Sequence, residues 1–382
     1  MEKLKKEENI VEFNIQRNIL LTGIQKTLGI VEKKTTMPIL NNVLIRAEDG
    51  KITIVATDRE ITLVANYDAE MISDGDVTVS AKKLYEMIRE MPESLIHVIK
   101  DENNVLTVSC QKVVYKINGM AADEFPSIVD DGDVPLFMID GKVLDILITK
   151  SFFAIGTDEN RKNLTGGLLE LDVDGGHFLR MVGTDGHRMA ISEVQVEGGG
   201  DFLRLDKGVI IPRKGLAEIR KLVEENTGSL SFGMYGGKCI VRIPNVVLKV
   251  SLIDADFPDY RRVIPKDKGV SVKIDKDTIL RALKRVNVVS SETYGGMIIN
   301  LKDNLMILKS NDFSIGEAID EIDVYYNGDE MTVGYNIGYL LNAIDVVMEK
   351  DIIMEIGTEI KPTLIKGDGN DHYISIIMPL KV

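Results

Sequence analysis

Tryptophan is absent from this chain, and aromatic residues make up only 5% of it. That scarcity argues against a surface that holds nucleic acid by stacking successive bases on rings. Two cysteines, Cys110 and Cys239, lie in separate strand-like patterns and make neither a disulfide framework nor a thiolate metal site. The four histidines, His97, His177, His187 and His372, do not stand at metal-ligand spacing, so neither a metal nor a cofactor is expected. No apolar run approaches membrane-spanning length. The opening MEKLKKEENIVE is charged throughout and lacks the apolar stretch of a secretion signal, which predicts a cytoplasmic protein. Positive charge is also in deficit: the net charge is −14. Spread evenly, that would disfavour nucleic acid.

Repetition, by contrast, is plentiful. "FNIQRNILLTGIQKT" begins at Phe13, "FMIDGKVLDILITKS" at Phe137 and "VKIDKDTILRALKRV" at Val272. A second family comprises "VTVSAKKLYEMIREM" from Val77, "VIIPRKGLAEIRKLV" from Val209 and "MTVGYNIGYLLNAID" from Met331. Each is a short apolar alternation followed by helical periodicity. Between them, "ATDREITLV" (56–64), "GTDGHRMAI" (183–191) and "KSNDFSIGEA" (309–318) echo one another, as do "AADEFPSI" (121–128) and "DADFPDYR" (254–261). The chain therefore reads as three units, 1–135, 136–269 and 270–382, with residues 1–11 as an extension expected to be disordered. The seams "VDDGDVP" (129–135) and "IPKDKG" (264–269) are too short for flexible tethers.

Within a unit the order is strand, helix, three strands, then the same again. In the first copy the strands fall near 41–47, 52–56, 61–67, 77–80, 95–99, 104–109 and 112–118, separated by turn signals such as Glu48-Asp49-Gly50. Helical stripes recur at Leu84, Met87, Ile88 and Met91, at Leu216, Ile219, Leu222 and Val223, and at Ile337, Leu340, Leu341 and Ile344. The fold class is α+β: three repeated domains, each with two helices packed on antiparallel sheets. The six helical segments with their flanks (14–34, 82–91, 140–151, 212–226, 275–286 and 336–350) are net basic, whereas the remainder is more acidic than the chain as a whole. Basic helix formers on solvated faces would produce part of this. The contrast favours a basic helical face suited to a phosphate backbone and insensitive to base sequence.

"GTDGHRMA" (183–190) places an acid, an imidazole and a guanidinium within five residues. A catalytic pair, a structural histidine and a partner-binding turn are the readings open to it. Asp58, Asp185 and Asp312 recur at the same point of each repeat, which suits a turn-forming aspartate. Only His187 and Arg188 are specific to one copy. No nucleophile motif, glycine-rich phosphate loop or carboxylate cluster accompanies them.

From about residue 12 onward the sequence resembles the bacterial sliding clamp, the beta subunit of DNA polymerase III. The most specific pieces are "TDGHRMA" (184–190), "IPRKGLAEI" (211–219), "DFPDYRRVIP" (256–265) and "YISIIMPLKV" (373–382). The resemblance implies the DNA-clamp fold in a head-to-tail homodimeric ring around duplex DNA, with no catalysis of its own. A clamp loader would open it, and the replicative polymerase and repair proteins would dock through short linear motifs. DNA-facing candidates are Lys34, Lys82, Arg89, Arg213, Lys214, Arg220, Lys221, Lys284 and Arg285. Lys34, Arg213 and Lys214 are carried over from the family, and the others rest on helical position. Residue by residue, the family's partner groove maps onto Leu164, Thr184, Gly186, His187, Arg188, Met189, Pro258, Arg262, Val263, Ile376, Met378 and Pro379 for its deeper pocket. Arg161, Asn336, Tyr339, Leu380, Lys381 and Val382 would form the shallower end. The chain departs from the pattern at Asn163, where relatives often carry an aromatic, and in its Leu380-Lys381-Val382 tail.

Overall fold

The computed structural model describes residues 10–31, 36–128, 132, 134–172, 177–196, 205, 208–226, 228–267, 269–290, 295–357 and 361–381. Lys34, Val382 and residues 1–9 of the anticipated extension lie outside the described residues. Val11, also assigned to that extension, is instead the buried first residue of the strand Val11–Gln16.

Six α-helices are described, each inside its predicted segment with flanks or within a residue of it: α1 (Arg17–Thr27), α2 (Ala81–Arg89), α3 (Gly141–Ser151), α4 (Arg213–Glu225), α5 (Lys276–Asn287) and α6 (Ile337–Asp345). Four begin at a side-chain cap. Ser80, Asp140, Asp275 and Asn336 accept from the amides of Lys83, Lys142, Thr278 and Tyr339 respectively, occupying donors that a first turn leaves unpaired. Asp275 also accepts from the Thr278 hydroxyl at 2.7 Å, and these two bonds hold its carboxyl below the usual carboxylate range. Leu84 and Ile88 in α2, and Leu216, Ile219, Leu222 and Val223 in α4, are the buried faces anticipated from periodicity.

The helices pack in pairs, α1 with α2, α3 with α4 and α5 with α6. Each pair shares a device. A basic residue at the first position of one helix donates to the terminal carbonyls of the other. Arg17 Nε reaches Ile88 O at 3.1 Å, and its Nη2 reaches Arg89 O. Arg213 Nη1 donates to Phe152 O and Ile155 O, each at 2.8 Å, just beyond α3. Lys276 Nζ donates to Asp345 O at 2.9 Å and to Val347 O. A cation there satisfies orphan carbonyls and faces the negative end of the partner helix dipole.

The chain divides into two compact units, residues 1–139 with 228–251, and residues 140–227 with 252–382. The first holds a five-stranded sheet in the order Glu70–Ser73, Val11–Gln16, Leu95–Lys100, Val105–Cys110, Val113–Asn118. Its eight-stranded sheet runs Phe137–Asp140, Ser229–Tyr235, Lys238–Ile243, Val246–Ser251, Ile61–Asp68, Lys51–Thr57, Asn42–Glu48, Gly75–Ser80. The second unit holds a nine-stranded sheet in the order Val209–Pro212, Gly166–Asp172, Phe178–Thr184, Arg188–Gln195, Tyr373–Ile377, Thr363–Gly367, Asp351–Ile356, Val270–Asp275, Tyr325–Tyr326. A four-stranded sheet completes it: Gly316–Asp323, Leu305–Asp312, Gly296–Lys302, Met331–Asn336.

These units cut across the sequence repeats because strands of neighbouring repeats pair. Val246–Ser251 lies antiparallel to Ile61–Asp68, with Val250 opposite Ile61. Tyr373–Ile377 lies antiparallel to Arg188–Gln195, with Ile377 opposite Arg188. Ladder hydrogen bonds thus join what the repeat divides.

Candidate functional site

The turn "GTDGHRMA" is built by its aspartate. Asp185 Oδ1 accepts the amides of His187 at 2.9 Å and Arg188 at 3.0 Å, while Oδ2 accepts Arg188 Nε at 3.0 Å. The Thr184 hydroxyl donates to Arg188 O at 2.7 Å and accepts from the Gly186 amide at 3.1 Å. Gly186 has φ 91°, and a Cβ there would stand 2.7 Å from Arg161 Nη2. The glycine therefore lets Arg161 lie across the turn, where its Nη1 donates to Asp185 O at 2.9 Å. Asp185 spends both oxygens on the turn and on Arg188, and the His187 side chain stands exposed beyond it. This is turn architecture, without the base-orienting bond of an acid–base pair.

Arg188 leaves the turn inward. Its guanidinium lies 4.3 Å from the Tyr339 ring centroid and 5.6 Å from that of Phe153, and Nη1 is buried without a hydrogen-bond partner. Contact with aromatic faces accommodates such a cation. Burial raises the Tyr339 hydroxyl above its ordinary range, Asp185 adds to the shift and Arg188 opposes it.

Beside this turn opens a cavity of about 210 Å³ lined by Arg161, Leu164, Thr184, Gly186, His187, Arg188, Met189, Pro258, Asp259, Tyr260, Val263, Ile376 and Met378. The nine-stranded sheet supplies Thr184, Arg188, Met189 and Ile376, and the amide of Met378 continues the ladder by donating to His187 O at 3.0 Å. Its apolar floor is a buried cluster containing Leu168, Val182, Met189, Ile191, Ile210, Tyr260 and Ile376. Most of the residues carried over for the deeper pocket come together here. Arg262 does not: its side chain is 84% exposed and pairs with Asp259 at 2.9 Å, because the short 3-10 turn Tyr260–Arg262 aims it at solvent. Pro379 is not among the lining residues, and Arg161, assigned to the shallow end, lines the deep one.

Of the remaining shallow-end residues, Asn336 caps α6 and Tyr339 stacks on Arg188. Leu380 forms a bridge to Gly334, and Lys381 is exposed. Asp259 and Tyr260 are lining residues the sequence reading missed, although they lie inside the quoted "DFPDYRRVIP". Asn163 donates to Asp256 O at 3.3 Å, tying the 159–164 turn to the segment that precedes Pro258.

The basic helices are less uniform than their residue types suggest. Lys82, Arg89, Lys214, Lys221, Lys284 and Arg285 are exposed, and Arg213 and Arg220 are half-buried. Arg213 spends its charge on α3 and lies 4.1 Å from the Phe152 ring centroid; burial lowers its affinity for the proton, and Arg188 lowers it further. Several others pair locally: Lys221 with Glu218 at 2.7 Å, Arg220 with Glu224 at 2.8 Å and Arg285 with Asp320 at 2.6 Å. The Arg220–Glu224 pair is solvent-accessible on both sides and correspondingly weak, whereas Glu218 is buried beneath Lys221. Among the described residues no helix is long and apolar enough to cross a membrane.

Comparison with known proteins agrees with this architecture. Residues 11–129, 138–259 and 261–381 match the N-terminal, central and C-terminal domain models of the DNA polymerase III beta subunit. The beta sliding clamp of Pseudomonas aeruginosa is 30% identical over 375 residues, spanning 97% of this chain and 100% of that one. The beta sliding clamp of Escherichia coli is 26% identical with the same coverage. The crystal structure of a Caulobacter crescentus beta sliding clamp superposes with a TM-score of 0.93 at 28% identity, covering 98% of this chain and 100% of that one. A P. aeruginosa clamp structure gives 0.88 at 30% identity, covering 97% and 100%. The chain thus belongs to the DNA polymerase III beta subunit family, the beta sliding clamps, and serves as a non-catalytic processivity factor in DNA replication.

Proposed function

We propose that two copies of the chain close head to tail into a ring of six repeat domains, divided near 1–135, 136–269 and 270–382, that encircles duplex DNA in the cytoplasm. The observation that carries this is a strand junction that occurs twice and is left open once. The strand after the Asp58 turn pairs with the last strand of the next repeat, and so does the strand after the Asp185 turn. The strand after the Asp312 turn, Gly316–Asp323, is an edge strand of its sheet, and Val113–Asn118 is an edge strand of another. Edges of this kind are ordinarily covered. The first is flanked by exposed Phe313 and Ile315 and carries exposed Ile319 with Glu317, Glu321 and Asp323; the second carries exposed Val114 with Lys116. Apolar contact and opposite charge suit them to pair between two copies, and a heterologous contact that closes gives a discrete dimer.

Duplex DNA would pass through the ring against Lys34, Lys82, Arg89, Lys214, Arg220, Lys221, Lys284 and Arg285, held by salt-sensitive contacts that read no sequence. Arg213 belongs to this set by family position, although its guanidinium serves α3. A clamp loader would open the ring, and the replicative polymerase and repair proteins would dock short linear motifs in the Arg161–Met378 groove. Its apolar floor and methionine wall suit several apolar side chains.

Topology gives the test. Protein loaded onto a nicked circle should remain bound through a salt wash and leave once the circle is linearised with free ends. Equal retention before and after linearisation would overturn encirclement.

A further inference from the structure

One wall of the groove, Pro258–Val263, belongs to no sheet. Its backbone hydrogen bonds are local, from Arg262 to Asp259 O and from Val263 to Tyr260 O. Yet Tyr260 is buried and its ring is part of the groove floor. What fixes it lies beneath, in a row of charged side chains crossing the nine-stranded sheet. Glu170 stands opposite Arg180, and Arg180 opposite Glu193. Arg180 Nη1 donates to Glu170 Oε1 at 2.8 Å and Arg180 Nε to Glu193 Oε1 at 2.5 Å. The Tyr260 hydroxyl donates to the same Glu170 oxygen and accepts from Arg180 Nη1 at 3.3 Å. Arg261 Nη2 reaches that oxygen at 2.8 Å, with its guanidinium 4.8 Å from the Tyr260 ring centroid.

We propose that Glu170 and Arg180 are positioning residues for the peptide groove: by holding the Tyr260 hydroxyl they set the distance of the Pro258–Val263 wall from Met378 and Ile376. The proposal rests on the reading of this cavity as the docking site for apolar peptide side chains. The charged row is shielded enough to act: the Glu170 and Arg180 side chains are only 13% and 15% exposed. Charge-assisted bonds in such surroundings are short and directional. Burial, and then the bond to Glu170, push the Tyr260 hydroxyl up to about 12, so it remains a donor throughout the physiological range. None of these polar groups except Tyr260 lines the cavity, so their effect on a ligand is transmitted through the wall.

The test uses the full-length chain and a fluorescein-labelled peptide containing leucine and phenylalanine, selected for binding to it. Tyr260→Phe removes one oxygen and leaves Glu170 paired with Arg180 and Arg261, so folding is preserved. It should weaken the peptide about tenfold, mainly through faster dissociation, with the thermal midpoint nearly unchanged. Glu170→Gln should weaken binding to a similar degree in the wild-type background and have no further effect in the Tyr260→Phe background. Arg261→Ala, which removes a solvent-exposed partner, should change binding less than twofold. Wild-type affinity in Tyr260→Phe, or losses that simply add in the double variant, would overturn the positioning role. A wild-type chain that selects no peptide would instead overturn the reading of the groove.

Discussion

The chain builds one junction twice, and an apolar-floored cavity opens beside the second. In the first unit, Asp58 Oδ1 accepts the amides of Glu60 at 2.9 Å and Ile61 at 2.6 Å, and the Thr57 hydroxyl donates to Ile61 O at 3.0 Å. In the second, Asp185 and Thr184 make the corresponding bonds to His187 and Arg188. The Ser251 amide donates to Glu60 O at 2.8 Å, as the Met378 amide does to His187 O at 3.0 Å. Backbone and turn chemistry are therefore shared, and the difference is confined to side chains. Where the second junction has Gly186, His187, Arg188, Ile376 and Met378, the first has Arg59, Glu60, Ile61, Lys249 and Ser251. Glycine lets Arg161 cross the turn, Arg188 finds aromatic faces, and Ile376 and Met378 supply the apolar wall. The residues that line the cavity therefore stand on a turn and ladder that both junctions share.

The largest effect should come from the junction that the chain leaves open. Ile319→Pro removes an amide and a side chain from the exposed edge strand without touching either closed junction. Sedimentation should shift from a dimer of the 42.4 kDa chain to the monomer at micromolar concentration. An unchanged dimer would place the interface elsewhere. Next in size is the conversion of the second junction into the first. Gly186→Arg, His187→Glu and Met378→Ser together should abolish binding of a leucine- and phenylalanine-containing peptide, since each apolar anchor is worth roughly 1.5–3 kcal/mol when buried. The dimer should persist. Retained binding by the triple variant would mean that the cavity does not hold the anchors.

How much of this the sequence disclosed depends on how local the physics is. The Asp58, Asp185 and Asp312 turns were legible because one aspartate serves amides two and three residues away; Asp312 accepts from the Ser314 amide at 2.8 Å in the third copy. Strand positions followed from alternation to within a residue or two, as at Ile61–Asp68 and Leu95–Lys100. Arg213 was a different matter. A basic residue opening a helix reads as surface charge, and its partners, Phe152 O and Ile155 O, lie 61 and 58 residues away. The signal was present as an anomaly, because a helix start favours acids over cations, and Arg17, Arg213 and Lys276 all break that preference. Tyr260 was missed for the same reason. In a proline-containing coil there is no period to tell an inward side chain from an outward one, and Tyr260 and Arg262 separate only once the segment lies on the sheet.

The smallest effect should come from exchanging the left-handed residue alone, and its sign should differ between the junctions. Arg59 has φ 80°, a conformation that costs a side-chain-bearing residue roughly 1–2 kcal/mol. Arg59→Gly relieves that cost but adds freedom to the unfolded chain, worth about 0.5–1 kcal/mol in the other direction. The balance is a stabilisation of under about 1 kcal/mol, visible as a small upward shift in urea midpoint. At the second junction, Gly186→Ala meets φ 91° and also brings a Cβ to 2.7 Å from Arg161 Nη2. The end of an arginine can move, but moving it breaks the bond to Asp185 O. That variant should lose stability and also weaken peptide binding a few-fold, because Arg161 lines the cavity. If Arg59→Gly destabilised as much as Gly186→Ala, relief of a strained turn would not describe the first junction, and the arginine there would have a task of its own.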